Sequence, residues 1–143
     1  MPPWPMEPPN RQRLAHGSTG ERRRASVQEE HRMTTVLIDD DAPLLTVLVD
    51  IHLEPRKQSD FVAGVTAMIA EFTSQQPGFI ASAIHASEDG TRVLNYSQWR
   101  DTATYERFRD HPEAQRRIAA LQKLCTLMEA RVMPPVALLE QAN

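Results

Sequence analysis

The chain has 143 residues, 41% hydrophobic and 24% charged, enough for one ordinary globular domain with a single core. A net charge of −3 argues against a nucleic-acid binder, and no apolar run reaches the roughly 18–20 residues that a membrane helix needs. The single cysteine, Cys125, excludes an intramolecular disulfide framework and fits a cytoplasmic location.

Residues 1–32 hold five of the eleven prolines and almost no apolar periodicity. Such a segment cannot bury enough apolar surface to offset its ordering entropy, so it reads as a disordered N-terminal extension. It lacks the apolar centre of a signal peptide. The run Arg22-Arg23-Arg24 is diluted by flanking glutamates and reads as solvated tail. The folded domain is expected to occupy residues 33–143, starting at Met33.

Residues 44–53 read as a strand, with Val47, Val49, Ile51 and Leu53 on one face and Leu48, Asp50 and His52 on the other. Residues 59–76 read as a helix whose stripe is Phe61, Val65, Met68 and Phe72, with Ser59 as N-cap and Pro77-Gly78 as the stop. Residues 79–86 and 92–99 form a hairpin around Asp89-Gly90, residues that tolerate the positive φ angles of such turns. Asp101 caps a short helix carrying Tyr105 and Phe108. A longer helix follows from Pro112, lined by Ala114, Ile118, Leu121, Cys125 and Met128. The last strand is placed at residues 135–141, after Pro134-Pro135. The resulting order, β-α-β-β-α-β, is the ferredoxin-like α+β arrangement: an antiparallel sheet with helices on one face. The other face is apolar enough to need a cover, and a second copy supplies one.

On the third strand Val93, Asn95, Ser97 and Trp99 point the same way. Asn95 and Trp99 thus put an amide and an indole N–H on one wall, with the Tyr105 hydroxyl within reach and small residues (Ala81, Ser82, Ala83) opposite. The turn register leaves open whether Ile84 or His85 shares that wall. Each residue also has a structural reading: Trp99 as core, Asn95 as a partner for backbone, Tyr105 as a half-buried helix residue. Asp50 and His52 form a possible acid–base pair, read here as strand-edge solvation. His111 reads as a helix cap and Cys125 as a core thiol. The five histidines show no zinc spacing, and no glycine-rich phosphate loop is present.

The stretch QPGFIASAIHASEDGTRVLNYSQWRDTATY, residues 76–105, resembles the antibiotic biosynthesis monooxygenases. Within them it is most similar to the small quinone-forming enzymes of aromatic polyketide pathways, of the actinorhodin-pathway type. The resemblance implies a ferredoxin-like protomer in a dimeric α/β barrel. It also implies oxidation of a phenolic, anthrone-type polyketide to a quinone with O2 as co-substrate and no metal, haem or flavin. It assigns Asn95 and Trp99 to holding the substrate oxygens and the O2-derived peroxide, Tyr105 to proton handling, and an arginine role to Arg117 or its neighbour Arg116. The partners implied are a small aromatic polyketide and a second copy of the chain. Two alternatives remain: a haem-binding or haem-degrading relative, for which His111 is the candidate axial ligand, and a non-catalytic dimeric ligand-binding barrel.

Overall fold

The computed structural model describes residues 35–38 and 43–142. The expected disordered extension, residues 1–32, and the expected domain start at Met33 lie outside the described residues.

Strand β1 is Leu45–His52, helix α1 Gln58–Glu71, β2 Phe79–Ala86, β3 Arg92–Trp99, α2 Thr102–Asp110, α3 Pro112–Gln122 and β4 Leu127–Val132. The sheet order is β2-β3-β1-β4 and every pairing is antiparallel. This is the expected α+β, ferredoxin-like fold. The core lies between the sheet and the helices. It is built from Val47 and Ile51 of β1, Val93 and Trp99 of β3, Phe61, Val65 and Met68 of α1, Tyr105 and Phe108 of α2, and Ala114 and Leu121 of α3.

Two helix starts follow directly from side-chain chemistry. Asp101 accepts the Thr104 N–H at 2.8 Å and caps α2, as expected. His111 caps α3: its Nδ1 accepts the Glu113 N–H at 3.0 Å, and Pro112 fills the first turn. Helix α1 differs from expectation, because its N-cap is Lys57 rather than Ser59. Pro55 starts a 3-10 turn, Pro55–Lys57, that runs straight into α1, so Ser59 never meets a free helix end. At the other end α1 stops at Glu71, and a second 3-10 turn, Thr73–Gln75, carries the chain toward β2.

The β2–β3 hairpin resolves the open register: Ile84 lies opposite Asn95, and His85 lies opposite Leu94 on the other face. Beyond the strand ends the Ser87 N–H donates to the Arg92 carbonyl at 3.0 Å, so Ser87 and Arg92 close the loop, and the even number of residues between them preserves the parity of a two-residue turn. Asp89 holds it by accepting from the Thr91 N–H, the Thr91 hydroxyl and the Ser87 hydroxyl, and Gly90 adopts φ +84.

The last third of the chain corrects the sequence reading. Helix α3 ends at Gln122, so Cys125 lies in the following turn, where its thiol donates to the Gln122 carbonyl at 3.7 Å. Met128 belongs to a strand. The fourth strand is Leu127–Val132, not residues 135–141. In "LMEARV" the alternation is period two: Met128, Ala130 and Val132 sit opposite Ile51, Val49 and Val47. Steps of four and three residues happen to land on Cys125 and Met128 and mimic a helical stripe. Pro134-Pro135 terminates the ladder, since proline cannot donate to it, rather than introducing the next strand. Residues 135–141 form no regular element, and Val136 and Leu139 are exposed.

Candidate active site

Between the sheet and the helices lies a cavity of about 200 Å³. For scale, an apolar cavity of roughly 150 Å³ accommodates benzene. The sheet contributes Val49, Ile51, Ser82, Asn95, Ser97 and Trp99 to its wall, and α1 contributes Phe61, Val65 and Met68. Tyr105, Phe108 and Arg109 of α2 enter from the side. Most of this lining is apolar, so the few polar groups stand out.

Strand parity places Asn95 and Trp99 on the cavity side, and both line it together with Tyr105. Trp99 is only 2% exposed and sits in an aromatic cluster. Phe79 meets it edge-on at 5.4 Å, Tyr105 lies at 5.5 Å and Phe108 at 4.9 Å between ring centroids. Such packing holds the indole in one orientation. Asn95 does not play the backbone-partner role: its Oδ1 is buried and has no hydrogen-bond partner among the described residues. Its neighbour Ser97 shows the contrast, donating to the Val47 carbonyl at 3.2 Å.

Tyr105 is buried, and burial pushes its hydroxyl above the ordinary tyrosine value, partly offset by Arg109. The Arg109 guanidinium lies 5.8 Å from the Tyr105 ring centroid and makes no ion pair among the described residues. Arg109 is a cavity residue that the sequence reading missed. The signal was available: it lies one helical turn after Tyr105, so both share a face.

Arg117 is placed differently. It bonds Glu113 at 2.6 Å and Glu71 at 3.3 Å, stacks 5.6 Å from the Phe72 ring centroid, and is not among the cavity-lining residues. Arg116 is exposed and pairs with Glu113. His111 is occupied as the α3 cap and packs edge-on against Phe72 at 5.0 Å, also outside the lining. Asp50 and His52 lie on the opposite sheet face, 3.4 Å apart, with Arg92 2.6 Å from Asp50. The Arg92 hydrogen bond holds the Asp50 carboxyl below its usual value. Among the described residues no cluster of three or more His, Cys, Asp or Glu could hold a metal ion, and no helix is long and apolar enough to cross a membrane.

Residues 44–120 match the family described as antibiotic biosynthesis monooxygenase. The chain belongs to this family. The antibiotic biosynthesis monooxygenase match runs from β1 through most of α3 and so includes the Asn95–Trp99 strand and Tyr105. Among curated relatives, tetracenomycin-F1 monooxygenase of Streptomyces glaucescens is 31% identical over 75 residues, covering 52% of this chain and 67% of that protein. Among solved structures, the Streptomyces coelicolor monooxygenase ActVA-Orf6, in complex with nanaomycin D, aligns with TM-score 0.61 and 28% identity. That alignment covers 73% of this chain and 96% of ActVA-Orf6. SnoaB of Streptomyces nogalater, a cofactor-independent oxygenase, aligns with the same TM-score at 20% identity, covering 70% of this chain and all of SnoaB. The last of these bears on the fold alone.

Proposed function

We propose that this chain is a cofactor-independent monooxygenase that oxidises a phenolic, anthrone-type aromatic polyketide to a quinone with O2. The observation that carries the reading is the buried, unpartnered Asn95 Oδ1 in an apolar cavity that Trp99 and Tyr105 also line. A buried acceptor without a partner costs about 1–3 kcal/mol, so the site is built for a ligand that brings a donor. A phenol or the enol form of an anthrone brings one.

The reaction balances without further redox partners. The substrate loses a proton from its central carbon, the carbanion passes electrons to O2, and the resulting peroxide loses water to leave a carbonyl. One anthrone and one O2 give one quinone and one water. In this scheme Asn95 accepts the substrate O–H through Oδ1. Its amide and the Trp99 indole donate to oxygen as negative charge develops. Tyr105, held neutral by its burial, donates a proton to the peroxide. Arg109 is the cation placed to favour the deprotonated ring, whereas the ion pairs of Arg117 point to anchoring α3 on α1. His111, spent as a helix cap, gives the haem alternative no ligand in the cavity wall.

A dimer belongs to the same proposal. The sheet face opposite the cavity carries Leu48, Leu94 and Tyr96 without a helix over them, and Val136 and Leu139 add exposed apolar surface. A second copy covering these would need to bury more than about 1,000 Å² to be stable.

The test is O2 uptake with 1,8-dihydroxyanthrone, followed against chromatography of the quinone. One O2 consumed per quinone, well above the uncatalysed rate and undiminished by chelators, is expected. A rate equal to the protein-free rate overturns the reading.

A further inference from the structure

Thr73 is a buried polar residue that the scheme above leaves unused. It begins the 3-10 turn Thr73–Gln75, which packs against β2, and it lines the same cavity as Asn95. It is only 5% exposed. Its Oγ1 is buried and has no hydrogen-bond partner among the described residues. Its surroundings offer a ready comparison: one residue on, the Ser74 hydroxyl donates to the Ala70 carbonyl at 3.0 Å, the usual outlet for a hydroxyl at a helix end. Thr73 does not use that outlet. Burial of a hydroxyl without a partner is unfavourable where valine, of the same shape, would pack equally well.

Among the described residues, the two buried side-chain oxygens that lack partners are Thr73 Oγ1 and Asn95 Oδ1, and both belong to this one cavity. They come from different layers, Asn95 from the sheet and Thr73 from the turn after α1. We propose that Thr73 is a specificity-determining residue, its hydroxyl bonding a second oxygen substituent of an aromatic ligand whose first hydroxyl is held by Asn95. Resting on the reading of the cavity as an aromatic-substrate site, this narrows the substrate class to polyoxygenated rings. Asn95 Oδ1 accepts only, so it selects a hydroxyl. Thr73 Oγ1 donates and accepts, so it takes either a hydroxyl or a carbonyl.

Calorimetric titration under anaerobic conditions tests the assignment, with 1-naphthol and the dihydroxynaphthalene isomers as probes. At least one diol should bind about five- to tenfold more tightly than 1-naphthol, the value of one neutral hydrogen bond. Thr73→Val should remove that advantage, leave 1-naphthol within twofold, and unfold no more easily than the parent. Thr73→Ser should restore the advantage. A Thr73→Val protein that keeps the diol preference overturns the role of Thr73 and leaves the cavity reading standing. Failure of the parent protein to bind any of these probes overturns the cavity reading, and this inference with it.

Discussion

The two faces of the one sheet differ in how completely their polar side chains are partnered. On the open face, Asp50 is bonded by Arg92 at 2.6 Å and lies 3.4 Å from His52. Gln98 donates to the Leu37 carbonyl at 2.8 Å and lies 3.4 Å from the Tyr96 hydroxyl. On the covered face, Ser97 donates to the Val47 carbonyl at 3.2 Å, whereas the buried Asn95 Oδ1 has no partner among the described residues. Gln98 is only 4% exposed and its amide still finds partners, so burial alone does not account for the unpartnered Asn95 Oδ1. The open face is explained by folding alone. On the covered face, the unpartnered Asn95 Oδ1 is the group that the proposed ligand would satisfy.

The largest effect should come from removing the covered-face donors. Trp99→Phe and Asn95→Ala are each expected to lower turnover of an anthrone ten- to a hundredfold, about 1.4–2.7 kcal/mol of barrier. The unfolding free energy of Trp99→Phe from urea titration should fall by under about 1.5 kcal/mol, because an aromatic ring is kept within the cluster. If both residues act on one oxygen centre, the double variant should fall short of the product of the single losses. A large stability loss with unchanged turnover per folded molecule would return Trp99 to the core.

A charge on the open face should act differently. Leu48→Glu leaves the cavity untouched, yet it should convert a light-scattering mass near twice 16.2 kDa to the monomer value. A parent protein that is monomeric at micromolar concentration would remove the dimer from the proposal while leaving the cavity chemistry intact.

Tyr105 offers a smaller and more specific probe. Burial raises its pKa above 10.0, so the phenol stays protonated, and able to donate, throughout the neutral range. Tyr105→Phe should lower kcat about tenfold with little change in KM, as for loss of one proton donor. Arg109 partly opposes the upward shift, so Arg109→Gln should raise the Tyr105 midpoint further. The chain has two tyrosines, so ultraviolet titration in a Tyr96→Phe background reports Tyr105 alone. A midpoint that falls on loss of Arg109 would contradict the geometry.

The sequence made the wall legible because strand parity is strict: once β3 was placed, Asn95 and Trp99 had to share a face. The caps at Asp101 and His111 were legible for a similar reason, being local chemistry within three residues. What escaped was set by contacts distant in sequence. The end of α3 depends on β4 pairing with β1 some eighty residues earlier, so a helical stripe could be read through Cys125 to Met128. The burial of Thr73 depends on α1 giving way to a 3-10 turn before Pro77-Gly78, and a composition of polar residues there conceals it. Arg109 was readable from its place one turn after Tyr105, whereas the family resemblance points to Arg117 on the next helix.

The smallest expected effect belongs to the open-face ion pair, and it carries information about the dimer. The folded pKa of Asp50 is depressed, chiefly by Arg92, so the pair contributes stability above the ordinary carboxyl value of 3.8. That contribution is lost as pH falls through the folded value. Asp50 is 36% exposed and Arg92 50%, so screening should hold the effect of Asp50→Asn near pH 7 to under about 1 kcal/mol. The difference between the variant and the parent should shrink as pH falls below the ordinary carboxyl value and Asp50 takes up its proton. The size of the neutral-pH difference then depends on what covers this face. If a second copy lies over it, the same substitution strands the Arg92 guanidinium away from water, and the penalty should grow with protein concentration as the dimer forms. If the face is open to solvent, the penalty should be independent of concentration. Urea titrations of Asp50→Asn and the parent across a hundredfold range of concentration distinguish the two, and a concentration-independent difference would count against the barrel arrangement.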